Sequence, residues 1–168
     1  MLFDAVEKTF KILEARGITR EDLYKNAEGE NNFNLSLGNL CSTLGIEVIF
    51  DNDLRDEQGR IISGRSCAES RQIFINNNDV GERMRFTIGH ELYHILNGQN
   101  ENRSEDEKFK LNELIANAFA AELLMPEEFV RRKIREFGLD INRLAIYFKV
   151  SIPAMYYRLL NLGIIRTL

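Results

Sequence analysis

Cysteine, histidine and long apolar runs are all scarce in this chain of 168 residues. The two cysteines, Cys41 and Cys67, stand in no metal-ligand spacing. That excludes a disulfide scaffold and reads as reduced thiols in a cytoplasmic protein. No stretch approaches the roughly 20 apolar residues of a membrane helix. The N-terminal segment MLFDAVEKTFKILEARG mixes both charge signs with apolar Phe3, Val6, Phe10 and Leu13. It reads as an amphipathic helix, because a secretory leader needs an unbroken apolar segment. An excess of positive charge is missing too, and a net charge of −4 argues against a general nucleic-acid binder. Internal repeats and low-complexity segments are absent.

What is present suffices for a core. Hydrophobic residues make up 44% and charged residues 29%, ordinary values for a globular protein. The length suits one domain with a small appendage, divided here as residues 1–126 and a basic helical region, 127–168. That region carries eight Lys/Arg against four acids, leaving 14 basic and 22 acidic residues upstream.

Periodicity and punctuation predict helices over 2–16, after Thr19, over 35–44, 82–97, 105–124, 126–137, 140–148 and 152–163. Residues 26–34 and 98–106 read as polar loops. The β-branched and aromatic stretches 46–50 and 71–76 read as strands, with a third within 61–69. The expected class is α+β: a small, three-stranded antiparallel sheet with helices stacked on one face.

Both histidines fall within one segment, RFTIGHELYHIL (85–96), as His90-Glu91-Leu92-Tyr93-His94. On a helix, residues i and i+4 share a face, so the two imidazoles can share one metal ion. Glu91 is rotated off that face and can reach a water on the metal. The ion lowers the water's pKa, Glu91 takes its proton during attack on a carbonyl, and the protonated Glu91 then serves the leaving amine.

A catalytic zinc needs a third protein ligand, and with no further histidine it must be a carboxylate. Glu113 is the candidate, on a helix whose Ala116, Ala120 and Ala121 permit close approach to Gly89. Asn117, one turn on, can bond the other ring nitrogen of a ligating histidine. The competing reading makes Glu113 and Glu122 solvated helix charges.

HExxH together with ELIANAFAAELLMP (113–126) resembles the ImmA/IrrE family of metallopeptidases, a gluzincin-like group. The resemblance spans residues 46–163 and includes the tail LAIYFKVSIPAMYYRLLNLG; the first 45 residues match loosely. It implies a zincin-like pair of active-site helices with His90, His94 and Glu113 as metal ligands, Glu91 as catalytic base and Asn117 in support. Zinc is the expected ion; manganese and iron also suit the donors. It further implies a helix-turn-helix transcriptional repressor as substrate, whose cleavage relieves repression of mobile-element, phage or stress genes. Substrate is expected to bind as an added strand, and Arg71, Gln72, Ile73, Phe74 and Ile75 form the candidate edge. The oxyanion donor is open among Tyr93, Tyr156, Tyr157, Arg71 and Arg85. The rival class is a non-catalytic regulator or toxin–antitoxin component that binds a partner protein, or binds DNA through a helix-turn-helix at 140–163 bearing Tyr156, Tyr157 and Arg158.

Overall fold

Residues 2–98 and 107–166 are described in the computed structural model; the expected loop at 98–106 lies almost wholly outside them. Helix α1 (Leu2–Glu14) buries Val6, Phe10 and Leu13 of the apolar stripe its spacing predicts and leaves Phe3 exposed. Helix α2 (Arg20–Tyr24) starts at a reciprocal cap in which the Thr19 side chain accepts from the Asp22 amide and Asp22 from the Thr19 amide. Helix α3 (Leu37–Thr43) is capped by Ser36. The 26–34 segment is anchored chiefly by Phe33, fully buried among Tyr24, Phe129 and Phe148.

Three strands follow: β1 (Glu47–Asp51), β2 (Gly64–Cys67) and β3 (Gln72–Asn76). Their order is β1-β3-β2, with β1 parallel and β2 antiparallel to β3. The sheet is therefore mixed, not antiparallel throughout. The polar stretch 52–63 carries the chain across to the far side of β3. Only the β2–β3 connection is tight, with Arg71 at φ 55 in its turn. The expectation that 71–75 forms a free edge is also corrected. Gln72, Ile73, Phe74 and Ile75 lie in the central strand, and their backbone groups are already paired on both sides. The open edge beside helix α4 (Gly81–Leu96) belongs to β2.

Helix α4 lies against β2 and β3, and α5 (Glu107–Leu124) packs on α4. The sheet meets α4 at Gly64, where a Cβ would lie 2.3 Å from Thr87 Cγ2. Gly64→Ala should cost about 1–3 kcal/mol of stability from overpacking. Adding Thr87→Ser, which removes that methyl, should recover most of the loss. Chemical denaturation of both variants checks this, and equal losses would locate the strain elsewhere.

The chain ends in α6 (Glu127–Phe137), α7 (Ile141–Phe148) and α8 (Ile152–Asn161). Val130, Leu144, Phe148, Met155 and Leu159 join the same core cluster as the upstream helices. Ser151 caps α8 and Pro153 sits in its first turn. Several cations of this region are engaged: Arg131 with Glu127, Arg132 with Glu28, Lys133 with Glu136, and Arg158 with Glu122. Arg158 is buried, and its Nε also donates to the Met125 carbonyl at 2.9 Å. Glu122 is thus part of an ion network with Arg158 and Arg20, rather than a solvated charge. Arg158→Ala should destabilise by about 3 kcal/mol, the low end for a broken buried pair, because Arg20 still faces Glu122. A denaturation shift under about 1 kcal/mol, the surface-pair range, would contradict that assignment.

Candidate metal centre

Two features set α4 against α5 closely enough for three side chains to converge. A Cβ on Gly89 would lie 3.3 Å from the Ala120 Cβ, so a larger residue at either position would wedge the helices apart. Below them, Phe119 is fully buried and packs against Phe10 at 5.1 Å and Tyr93 at 6.2 Å between ring centroids. The expectation that small residues allow close approach matches this contact.

At the crossing, His90 and His94 stack one turn apart on α4 with their Nε2 atoms 3.2 Å apart. Glu113 of α5 reaches both. Its Oε2 lies 3.3 Å from His90 Nε2, and its Oε1 lies 3.1 Å from His94 Nε2. These spacings give a direct test of fit to an ion. A tetrahedral centre with bonds of about 2 Å separates its ligand atoms by about 3.3 Å. The donor set and its spacing fit a single divalent cation, and no other group of three potential ligands is found among the described residues.

The surroundings fix the donors. His90 Nδ1 lies 2.9 Å from Asn117 Oδ1, an acceptor that holds a proton on Nδ1 and so makes Nε2, the atom facing Glu113, the nitrogen available to an ion. Burial works against charge on Glu113, but hydrogen bonds from both imidazoles outweigh it and hold the carboxyl down at about 2. The same pairing raises His90 against the opposing effect of its burial. Glu91 is buried on the next face of α4, and that burial pushes its carboxyl up, offset in part by the charge of His90. Its Oε2 accepts a 2.8 Å hydrogen bond from Ser66 Oγ on β2.

The expected site residues divide clearly. His90, His94, Glu113, Asn117 and Glu91 are brought together. Arg71 spends its guanidinium on the carbonyls of Leu44 and Gly45, and Arg85 donates to the Leu35 carbonyl at 3.1 Å. Tyr93 is buried against Phe119. Tyr156 and Tyr157 contact each other at 5.7 Å between centroids. The exposed Tyr157 borders a groove of about 700 Å³ that reaches Asn117 past Phe86, Leu114 and Ala118. Sequence reasoning missed Ser66. Nothing in the GRSC segment distinguishes its hydroxyl from any other serine on a short strand.

Residues 41–160 match the family model described as the IrrE N-terminal-like domain. This chain belongs to the ImmA/IrrE peptidase family. It therefore carries a metallopeptidase-type domain. A solved structure described as a Mycobacterium tuberculosis transcriptional regulator is similar in fold, with a TM-score of 0.62 and 19% identity. The match covers 94% of this chain and 46% of that one, so the chain spans less than half of that protein. Comparison with curated proteins finds no significant match. Among the described residues, no helix is long and apolar enough to cross a membrane.

Proposed function

We propose that this member of the ImmA/IrrE family is a zinc-dependent endopeptidase that acts in the cytoplasm on a helix-turn-helix transcriptional repressor. The observation that carries the reading is the 3.1–3.3 Å spacing among the Nε2 atoms of His90 and His94 and the Glu113 carboxylate. Two imidazoles and one carboxylate would leave one position of a tetrahedral ion open for chemistry, and neither Cys41 nor Cys67 joins the group. Zinc is the proposed ion, with manganese or iron as substitutes for the same donors. When bound, it supplies Lewis acidity that brings a water's pKa toward neutrality and polarises a peptide carbonyl.

The protein's own residues do the rest. Asn117 holds His90 in the ligating tautomer. Glu91 takes the proton of the attacking water and passes it to the departing amine. Burial pushes its carboxyl up, which makes it a better proton acceptor than an exposed carboxylate. The substrate strand is assigned to the open edge of β2, in place of the central strand, because β2 runs along α4 past Glu91.

Residues 1–126 form the catalytic part in this reading, and 127–168 are a helical extension of the same core. DNA binding by that extension has less support, since Arg158 is buried and Arg131, Arg132 and Lys133 face acids. The repressor assignment draws on the family. It is tested by co-expressing the chain with each neighbouring small DNA-binding protein. A discrete fragment should appear, and it should vanish when Glu91 is replaced by Gln. Intact partners in every co-expression would remove the repressor from the account.

A further inference from the structure

We infer that Ser66 is a positioning residue for Glu91, and that it links the orientation of the base to the strand edge where substrate binds. The inference rests on the peptidase reading of Glu91. Both side chains are buried, Ser66 at 7% exposure and Glu91 at 3%. The Ser66 hydroxyl donates to Glu91 Oε2 at 2.8 Å, the one side-chain hydrogen bond made to this carboxylate among the described residues. A buried hydroxyl must find a partner, and here that partner is the base. Holding Oε2 restricts rotation of the carboxylate about its last bond and presents Oε1 in one direction.

Strand and helix periods bring this contact about. Side chains two apart on a strand share a face, and those four apart on a helix share a face. Gly64 and Ser66 of β2 therefore meet Thr87 and Glu91 of α4 in matching pairs. Gly64 lets the strand lie against Thr87, and Ser66 then falls on Glu91.

The backbone of Ser66 has a different outlook. The Asn76 amide donates to the Ser63 carbonyl at 2.8 Å, which marks that opposed pair as hydrogen-bonded. In an antiparallel ladder every second pair is bonded. The register then puts the amides and carbonyls of Arg65 and Cys67 toward β3, and those of Gly64 and Ser66 toward the open edge. A peptide strand added there bonds to the backbone of the residue whose side chain holds the base. Bound substrate thereby braces Ser66, and through it the carboxylate.

The test uses two readouts. In metal-free protein labelled with carbon-13 at the glutamate carboxyls, the Glu91 resonance is the one lost in Glu91→Gln. It should shift in Ser66→Ala and return toward its original position in Ser66→Thr, which keeps a hydroxyl. With zinc-loaded protein and β-casein as an unfolded polypeptide probe, Ser66→Ala should lower kcat about 10- to 100-fold, the range for residues that orient a metal-site group. KM and zinc content should be unchanged, and Ser66→Thr should restore most of kcat. An unmoved Glu91 resonance, or a wild-type kcat in Ser66→Ala, overturns the role of Ser66. Cleavage that persists in Glu91→Gln overturns the peptidase reading instead, and the carbon-13 shift still decides whether Ser66 holds that carboxylate.

Discussion

Glu91→Gln should retain a full equivalent of zinc and cleave its partner about 100- to 10,000-fold more slowly, the usual contribution of a positioned proton acceptor. The two side chains have nearly the same shape, so the packing around this 3%-exposed residue survives. The Ser66 hydroxyl can donate to the amide oxygen as it does to Oε2. The triad is untouched, because Glu91 projects from α4 beside the ligand face. What is lost is the capacity to accept the water's proton, since an amide has no basic oxygen at neutral pH. Exchanging a buried carboxylate for a neutral amide should not lower thermal stability, given that burial already disfavours the charge. Elemental analysis and cleavage of the partner repressor measure both halves. Wild-type turnover would remove Glu91 from the mechanism, and loss of zinc would make it a ligand.

Glu113→Ala should weaken zinc binding by more than about 100-fold. The comparison that gives this number meaning is Asn117→Ala. Residues that only orient a ligand typically contribute about 10- to 100-fold in affinity, and Asn117 touches His90 alone. Glu113 touches both imidazoles and supplies a third of the donor set. Titration with zinc in competition with a chelator ranks the two variants. Equal losses would make Glu113 an orienting residue rather than a ligand. The metal-free protein offers a second sign of the same contact. Glu113 is held at about 2 against an ordinary 4.5, so the stability it contributes is complete above about pH 4.5 and fades as pH falls toward 2. Glu113→Ala should lose that part of the acid dependence.

Much of this centre was legible in sequence because helix geometry is local. The four-residue spacing of His90 and His94 sets their shared face, and the four-residue spacing of Glu113 and Asn117 sets theirs. Small residues at Gly89 and Ala120 marked where the faces meet. The sheet was less legible. Alternation identifies a strand but says nothing of its neighbours, so in sequence β3 reads as an edge and the sheet as antiparallel throughout, and the fold has neither. Pairing depends on where the 52–63 loop carries the chain, a long-range property with no local pattern. Ser66 was missed for the same reason, since its partner is 25 residues away. Phe33 shows the converse: one aromatic in a polar segment has no period, yet nearby Tyr24 and two rings from the C-terminal helices close over it.

The central claim is that His90, His94 and Glu113 grip one ion and leave a corner of it open. Zinc-edge X-ray absorption on protein loaded with one equivalent tests it most directly. The account predicts two imidazole nitrogens and light oxygen scatterers at about 2.0–2.2 Å, with no sulfur shell. It also predicts that the two-imidazole signature is lost in His94→Ala. A sulfur shell at about 2.3 Å, or an unchanged spectrum in that variant, would place the ion elsewhere and contradict the account.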